Sequence, residues 1–323
     1  MSIKALEAHL RPFLPYLQNE AVTEICINKP EELFIEANGK FIRREIKELE
    51  FNYLESLAAL VAEFNDKKFP DTMISGSLPK GERIQFVMPP ACEKGKIVLS
   101  IRKHKKISLT LDDYENAGSF DGLSKATKQQ SHNQKLKELY ASGKILEFIK
   151  LAIKSKKNIV ICGGTGTGKT TFLNACLKHI SLHERLITVE DAREVSMPHL
   201  NTAHLLFNEE NIPMNSLNIF KACLRLRPDR IFLSEIRGAE VWPFLRAANS
   251  GHPGSLTTVH ADSVKGAFTQ MVFMMQQAGS TSTEEQIRNY LKSILDVVVQ
   301  LKRDTNPGKF VRVDEVWFGG FAD

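Results

Sequence analysis

Residues 158–170 read NIVICGGTGTGKT, and this stretch decides the fold of the chain. A short apolar strand, 158–162, leads into a glycine-rich loop, 163–170, that fits the pattern G-x-x-x-x-G-K-[ST]. A helix is predicted to begin at Lys169. A chain of this length and average composition would match the pattern by chance roughly once in a hundred cases. Strand, loop and helix in this order therefore predict a P-loop, which binds the phosphates of a nucleoside triphosphate.

The residues of this loop have distinct expected parts in holding ATP and Mg²⁺. Glycine lets the backbone turn its N–H groups inward, toward phosphate oxygens at the positive end of the helix dipole. Lys169 is expected to reach the β- and γ-phosphates as a catalytic residue, and the Thr170 hydroxyl is expected to ligate Mg²⁺. The residues expected to bind the nucleotide are Gly163, Gly164, Thr165, Gly166, Thr167, Gly168, Lys169, Thr170 and Thr171.

Short apolar strands alternate with helices over the C-terminal half of the chain. Strands are predicted at 158–162, 185–191, 230–235 and 255–261, and helices near 215–226, 239–248 and 263–278. A last helix is predicted to open at Thr281 or Ser282, where Ser282 and Glu285 have capping-box spacing, and a hairpin is predicted to close the chain. This alternation predicts an α/β fold with a mainly parallel sheet covered on both faces.

The N-terminal half has the pattern of a smaller α+β unit. Helices are predicted near 3–18 and 51–65, and strands at 22–28, 33–36, 40–46, 81–89 and 96–103. The last two strands are expected to pair. A polar stretch rich in Lys, Ser, Gln and Asn follows and is predicted to be a linker. The predicted organisation is an N-terminal domain at 1–102, a linker at 103–135 and a P-loop domain at 136–323.

Composition excludes several classes of protein. The chain has 323 residues, 42% hydrophobic and 25% charged, which is ordinary for a folded globular protein and excludes long disorder or a fibrous repeat. No apolar run reaches the roughly 18 to 20 residues of a membrane helix, so a cytoplasmic protein is expected. Five scattered cysteines without a C-x-x-C pair favour reduced thiols over disulfides or a zinc site.

The net charge of +5 is unevenly placed along the chain. The segment from Lys125 to Lys157 holds nine lysines and two acids, a local charge of +7, so the rest of the chain carries −2. Two interpretations remain open for this segment. It is either a solvated helix face with a linker, or a surface that contacts an anionic membrane or an acidic partner.

Three further segments place polar side chains at the ends of predicted buried strands. Glu190 and Asp191 end one strand, Glu235 ends another and His260 ends a third. Ligands of open α/β sheets bind at the carboxyl ends of the strands, so these side chains are expected near the P-loop. Carboxylates there can hold Mg²⁺ and orient an attacking water, and a histidine can contact the γ-phosphate.

These segments resemble the four sequence boxes of secretion ATPases. The boxes read CGGTGTGKTT, ITVEDARE, LRLRPDRIFLSEIRGAE and SGHPGSLTTVHADS. Their order and spacing are most similar to the hexameric traffic ATPases of type IV secretion systems, the "VirB eleven" family. The resemblance covers the C-terminal half closely and the N-terminal half more loosely, through GERIQ and LSIRK. One departure is Ser234, where the family usually has glycine before the Walker B glutamate.

The resemblance implies a RecA-like ATPase domain and a role for each matched residue. Glu190 matches the acidic-box carboxylate expected to activate water, and Asp191 and Glu235 match carboxylates near Mg²⁺. His260 matches the sensor histidine. The residues that match N-terminal-domain arginines reaching the nucleotide phosphates are Arg83 and Arg102. Arginines that lie near the Walker B strand, one of which is a candidate to work across a subunit boundary, are Arg225, Arg227, Arg230 and Arg237.

The resemblance also implies partners. The family forms homo-hexamers that hydrolyse ATP, work with inner-membrane components of the secretion apparatus, contact the membrane peripherally and drive a secreted protein or DNA substrate indirectly. A pilus-assembly or type II secretion motor is the nearest alternative. Such motors commonly carry a four-cysteine zinc insertion after the Walker B box, and this chain has no cysteine after Cys223. Tight-adherence pilus ATPases lack that insertion too and remain an alternative.

Two functions of a different class are also considered. A nucleic-acid translocase is disfavoured by the near-neutral charge outside the lysine-rich segment and by the lack of an aromatic and basic stacking stripe. A non-catalytic scaffold with a vestigial P-loop is disfavoured because every residue that the chemistry needs is present.

Overall fold

A computed structural model describes residues 3–104, 110–121, 128–304 and 311–321 of the chain. The described residues build two sheets, one of six strands in the N-terminal part and one of seven strands in the C-terminal part. Each sheet has its own apolar core. The α/β class and the mainly parallel C-terminal sheet, both predicted from the sequence, are confirmed.

The N-terminal sheet is antiparallel throughout and is covered by helix α3. Its elements are α1 Ile3–His9, α2 Leu14–Leu17, β1 Val22–Ile27, β2 Glu32–Ala37, β3 Lys40–Glu45, α3 Phe51–Phe64, β4 Met73–Ser77, β5 Arg83–Val87 and β6 Val98–Arg102. The strand order is β3-β2-β1-β6-β5-β4. Helix α3 buries Leu54, Leu57, Ala58 and Val61, one apolar stripe at helical spacing, in the core of this sheet. The predicted pairing of β5 with β6 is confirmed.

The C-terminal sheet has the order β13-β12-β7-β11-β10-β8-β9, parallel except for the edge strand β13. The helices are α4 Leu111–Asn116, α5 Lys128–Ala141, α6 Ile145–Lys154, α7 Lys169–Leu177, α8 Ser216–Cys223, α9 Val241–Ala248, α10 Val264–Gln277 and α11 Glu284–Ile294. The strands are β7 Ile159–Gly163, β8 Leu186–Glu190, β9 Thr202–Leu206, β10 Arg230–Leu233, β11 Leu256–Val259, β12 Val297–Arg303 and β13 Val311–Phe318. Strand β7 is the third of the seven strands, with a parallel neighbour on each side, so the loop that follows it opens at an interior position of the sheet edge.

Several elements differ from the sequence prediction. Strands β4 and β9 and helix α6 were not predicted, and helices α4 and α5 lie wholly or partly within the stretch predicted as a linker. The N-cap of α11 is Thr283, one residue after the predicted Ser282, and the helix begins at Glu284. The Thr283 hydroxyl accepts from the backbone N–H of Gln286, and the Gln286 side chain accepts from Thr283 N. Most of the turn predicted between β12 and β13 lies outside the described residues.

The N-terminal part packs against strand β9 of the C-terminal sheet. Cys92 forms an isolated bridge with Leu205, and Leu206 N donates to the carbonyl of Ala91 at 2.8 Å. The fully buried Arg185 donates to Asn28 Oδ1 at 2.7 Å. These contacts hold the turn between β5 and β6 beside the end of β8, where the acidic box lies.

The five cysteines are buried and free, as the sequence predicted. Burial raises the pKa of the Cys26 thiol to about 11, so it stays protonated and unreactive at neutral pH. Within the part of the chain that the structure describes, no helix is both long enough and apolar enough to span a bilayer.

Candidate nucleotide-binding site

The loop between β7 and α7 has the backbone that a phosphate cradle requires. Gly168 precedes the first residue of α7 with a φ of 74°, a left-handed conformation that glycine adopts without strain. A Cβ added at Gly163 would lie 2.8 Å from the carbonyl oxygen of Leu301 on the neighbouring strand β12. The loop therefore accepts only glycine at these two places, one for its turn and one for close packing against the sheet.

Lys169 lies at the centre of the site, with only 7% of its surface exposed. Its ammonium group donates to the carbonyl of Gly163 at 3.1 Å and lies 3.3 Å from both ring nitrogens of His260. The same group lies 3.8 Å from Glu235 Oε1. Burial lowers the pKa of Lys169, and the charge of Glu235 opposes that shift. The structure thus brings together the P-loop lysine, the Walker B acid and the His-box histidine that the sequence placed far apart.

Glu235, Arg237 and Asp191 form a charged cluster beside Lys169. Glu235 Oε1 lies 2.8 Å from His260 Nε2, and Glu235 Oε2 accepts from Arg237 Nε at 2.5 Å. Arg237 also donates to Asp191 Oδ2 at 2.5 Å. Burial by itself would lower the pKa of Arg237. The hydrogen bond and charge of Glu235, together with the charge of Asp191, have a larger effect, so the pKa of Arg237 is raised overall. The cluster joins the ends of β8 and β10 and faces the P-loop with two carboxylates and one guanidinium.

The residues beside Thr170 suit a hard cation such as Mg²⁺. The Thr170 hydroxyl donates to Glu194 Oε2 at 3.2 Å, so an oxygen-rich pair stands where helix α7 begins. Within the described ranges, no group of three or more His, Cys, Asp or Glu side chains is arranged to hold a metal ion. In phosphoryl-transfer sites Mg²⁺ takes most of its ligands from phosphates and waters and only one or two from protein, and a threonine hydroxyl beside a carboxylate offers ligands of this kind. Thr170, Glu235 and Asp191 remain the residues that we would assign to it.

Both oxygens of the Glu190 carboxylate have hydrogen-bond donors from the chain itself, whereas the resemblance implied that this residue activates water. The side chain is fully buried, and one oxygen accepts from the backbone N–H groups of Glu194 and Val195, each at 2.8 Å. The other oxygen accepts from Thr188 Oγ1 at 2.6 Å and from Arg193 Nη1 at 2.7 Å. With every oxygen held by protein donors, Glu190 shapes the loop 191–195 and is badly placed to activate water.

We therefore expect Glu190→Gln to destabilise the fold. The side-chain NH₂ of glutamine would face N–H and O–H groups that are themselves donors, so hydrogen bonds would be lost. The expected cost is about 1–3 kcal/mol of unfolding free energy at pH 7. Burial raises the pKa of Glu190, but hydrogen bonds from His204, Thr188 and the loop backbone lower it overall. A carboxyl group whose pKa is lowered by folding stabilises the folded state above its unfolded pKa of about 4.3. This stabilisation is lost as the pH falls through the pKa of the group in the folded state. The variant has no such group at position 190, so it should lose less stability than the native protein on acidification.

Chemical denaturation of both proteins between pH 3 and pH 7 measures this expectation. Glu138→Gln is the matched control, because Glu138 is exposed on α5 and pairs only with surface groups. Equal stability of the Glu190 variant and the native chain at pH 7 would contradict the positioning role.

Arg83 and Arg102 lie opposite each other on β5 and β6, in a cleft between the two sheets. The cleft has a volume of about 530 Å³ and is also lined by Glu24, Arg225 and Arg227. No described residue of the P-loop lines it. The structure therefore groups the two N-terminal arginines with each other and does not bring them to the P-loop of their own chain.

The four arginines near the Walker B strand have different surroundings. Arg227 pairs with Glu36 of the N-terminal sheet and donates to Asp229 at 2.7 Å. Arg230 is 1% exposed and forms a double hydrogen bond with Glu184, which makes it a structural residue. Arg225 lines the cleft with Arg83, and Arg237 belongs to the P-loop cluster.

Two residues of the site were not predicted from the sequence. Glu194 accepts a hydrogen bond from the Thr170 hydroxyl. It is the last residue of the quoted ITVEDARE box, three residues after Asp191, but no role was predicted for it from the sequence. Arg303, at the end of β12, donates from Nε to the carbonyl of Gly166 at 3.3 Å. Arg303 gave no sequence signal, since its approach to the P-loop depends on β12 pairing in parallel with β7.

Comparison with known proteins places the chain in a family that matches most of its length. Residues 7–314 match the family model described as T2SSE, Type II/IV secretion system protein. The chain is 37% identical over 321 residues to the type IV secretion system protein VirB11 of Brucella suis biovar 1 (strain 1330), covering 96% of this chain and 89% of the relative. It is 34% identical to the VirB11 protein of Bartonella quintana (strain Toulouse), covering 97% and 92% of the two chains.

One solved structure is similar over almost the whole chain. It is the crystal structure of the VirB11 ATPase from the Brucella suis type IV secretion system in complex with sulphate. The TM-score is 0.90 at 36% identity, and the match covers 98% of this chain and 95% of the other. The likeness extends over both sheets and confirms the predicted class, an α/β fold with a RecA-like P-loop domain preceded by a smaller α+β unit.

Proposed function

This chain belongs to the type II/IV secretion system protein family and is similar to VirB11, and on that premise we propose that it is the ATPase of a type IV secretion system. It hydrolyses ATP with Mg²⁺ in a homo-hexameric ring, at the cytoplasmic face of the inner membrane. Its partners are inner-membrane components of the apparatus, and through them it moves a secreted protein or DNA substrate. One observation carries the proposal: the side chains of Glu235 and His260 lie within 3.8 Å of each other and of the P-loop lysine, Lys169.

The residues of this chain divide the work of ATP hydrolysis among them. The loop N–H groups and Lys169 hold the phosphates and offset their charge at the N-terminus of α7. Thr170, with Asp191 and Glu235, would hold Mg²⁺, which offsets charge on the β- and γ-phosphates when bound. Glu235 orients the attacking water and takes its proton, and His260, 2.8 Å from Glu235, holds that carboxylate in place.

In the arrangement described, Arg83 and Arg102 do not line the P-loop of their own subunit. Their cleft contains no described P-loop residue, so a phosphate contact requires either movement between the two sheets or a site on a neighbouring subunit. We propose the second route, because the N-terminal sheet is fixed to its own C-terminal sheet by the Arg185, Arg227 and Cys92 contacts. Guanidinium groups suit bidentate phosphate binding in either case.

Mixing two inactive variants tests this arrangement across subunits. Lys169→Ala removes the P-loop lysine, and Arg83→Ala with Arg102→Ala removes the cleft arginines. If the arginines act on a neighbour's nucleotide, an equal mixture recovers about a quarter of the native ATP turnover, since some subunit boundaries then pair an intact P-loop with intact arginines. Turnover in the mixture equal to the average of the two separate variants would place the arginines in their own subunit or outside the site.

The ring itself is tested by mass. Light scattering at micromolar protein with Mg²⁺ and a non-hydrolysable ATP analogue should show a species near six times the 36.4 kDa chain mass. The family relationship motivates the ring, and nucleotide is included because binding to the assembled form stabilises it by mass action. A species that stays at 36.4 kDa at all nucleotide concentrations would contradict the hexamer.

A further inference from the structure

Helix α4 presents apolar side chains that nothing in the described part of its own chain covers. The six residues Leu111–Asn116 are all exposed, and Leu111 and Tyr114, three positions apart on one face, are 77% and 46% exposed. The helix is closed at its start by a capping box between Thr110 and Asp113. A capped helix this short is marginal in water by itself, so an exposed apolar face at this point favours packing against another surface.

The α4 segment, residues 110–121, is also strongly acidic. Its sequence TLDDYENAGSFD contains four carboxylates and no lysine, arginine or histidine. Phe120 adds a second apolar group at 50% exposure. The segment therefore offers a partner an apolar face edged with negative charge, and it would be complementary to an apolar surface edged with positive charge.

The same chain carries such a surface between helices α6 and α7. A groove of about 300 Å³ is lined there by Ile145, Leu146, Ile149, Lys150, Ile153, Phe172, Ala175, Cys176, His179 and Val313. Leu146 is 60% exposed and Val313 is 37% exposed. Among the described residues that line the groove, none is acidic. Lys150 in the lining, Lys154 on α6 and Lys178 directly after α7 carry positive charge here, against the exposed acid Glu147 on α6, so positive charge predominates at the groove.

We propose that the α4 segment of one subunit docks in the α6–α7 groove of the next, with Leu111 and Tyr114 in the groove and the carboxylates against its lysines. The inference rests on the proposed ring and names a contact that holds it together. Two different patches on one chain form a head-to-tail interface, and an interface of this kind closes into a ring when the rotation per subunit divides a full turn. It also gives part of the lysine-rich segment, which the nucleotide site does not use, an acidic partner.

A second copy is the occupant that the structure favours. In the described chain the face of α4 is exposed, and so are Leu146 and Val313 at the groove, so neither patch covers the other within one subunit. The two patches match in sign and in chemistry, apolar residues with four acids on one and apolar residues with lysines on the other. Both stay exposed until a copy of the same chain supplies the opposite patch.

Mixed disulfide cross-linking tests the contact directly. A tagged chain with Leu111→Cys is mixed with an untagged chain carrying Leu146→Cys, allowed to assemble with Mg²⁺ and a non-hydrolysable ATP analogue, and oxidised. We expect a tagged–untagged dimer under non-reducing conditions. Leu182→Cys is the matched control partner, since Leu182 is 61% exposed but lies outside the groove. It should give no more dimer than an untagged native chain does.

Three outcomes overturn the proposal. No dimer above the control, in a sample that light scattering shows to be a ring, removes the contact and leaves the proposed function standing. A double variant, Leu111→Cys with Leu146→Cys, that cross-links only within one chain shows docking on its own groove. Absence of any ring in the native protein removes the hexamer and this contact together.

A double variant and a control measure, without cross-linking, how much the contact stabilises the ring. Leu111→Ser with Tyr114→Ser should raise the protein concentration at which the ring dissociates by at least about tenfold, because the apolar area is lost from each interface. Asn116→Ala, on the same helix, should leave it unchanged. An unchanged dissociation point in the double serine variant would overturn the proposal.

Discussion

Replacing Lys169 by alanine should lower ATP turnover by at least about 10²-fold while the protein stays folded. The ammonium group is buried among the P-loop carbonyls, Glu235 and His260, so its loss removes a positive charge expected to face the β- and γ-phosphates. Loss of one preorganised donor to a developing charge typically costs 10²–10³ in rate. Steady-state phosphate release measures turnover, and a thermal melt checks the fold.

Lys292→Ala is the matched control for this variant. Lys292 lies in the last turn of α11, is exposed to solvent and is outside the cluster around the P-loop. Its replacement should leave turnover within about twofold of the native value. Native turnover in the Lys169 variant would show that the P-loop assignment is wrong.

Glu235→Gln should bind ATP and Mg²⁺ but hydrolyse ATP slowly. The amide keeps the size of the side chain and one oxygen, but it loses the negative charge that orients and deprotonates water. Removing a general base typically costs 10²–10⁴ in rate. Its neighbours His260 and Arg237 remain in place to hold the amide. Single-turnover hydrolysis with equilibrium binding of a labelled ATP analogue separates the two effects.

Glu284→Gln serves as the control, because Glu284 is 62% exposed on α11 and pairs only with Arg288. It should leave both binding and hydrolysis unchanged. If Glu235→Gln abolishes nucleotide binding as well, Glu235 has a structural part in the site. If it hydrolyses ATP at the native rate, the water-orienting group lies elsewhere, and Asp191 is then the first carboxylate to test.

The sequence by itself determined the P-loop and the alternation of strands and helices that follows it. The run NIVICGGTGTGKT combines a strand, a loop and a helix start within thirteen residues, and local sterics and hydrogen bonding decide all three. The alternation of apolar strands with helices likewise predicted a mainly parallel sheet, because strand and helix periodicities are local properties of the chain. Strands β4 and β9 escaped prediction, since both lie toward sheet edges and carry partly exposed, mixed residues.

Only the tertiary structure decided which charged residues lie beside the P-loop. Glu190 and Asp191 are adjacent in sequence, but Glu190 is the last residue of β8 and is buried under the acidic-box loop. Asp191 lies beyond the strand and pairs with Arg237, a partner that only the folded chain brings near. Arg303 reaches the P-loop through a strand pairing that joins residues more than a hundred positions apart. Arg83 and Arg102 lie in the cleft between the two sheets because the packing of those sheets, a long-range contact, places them there.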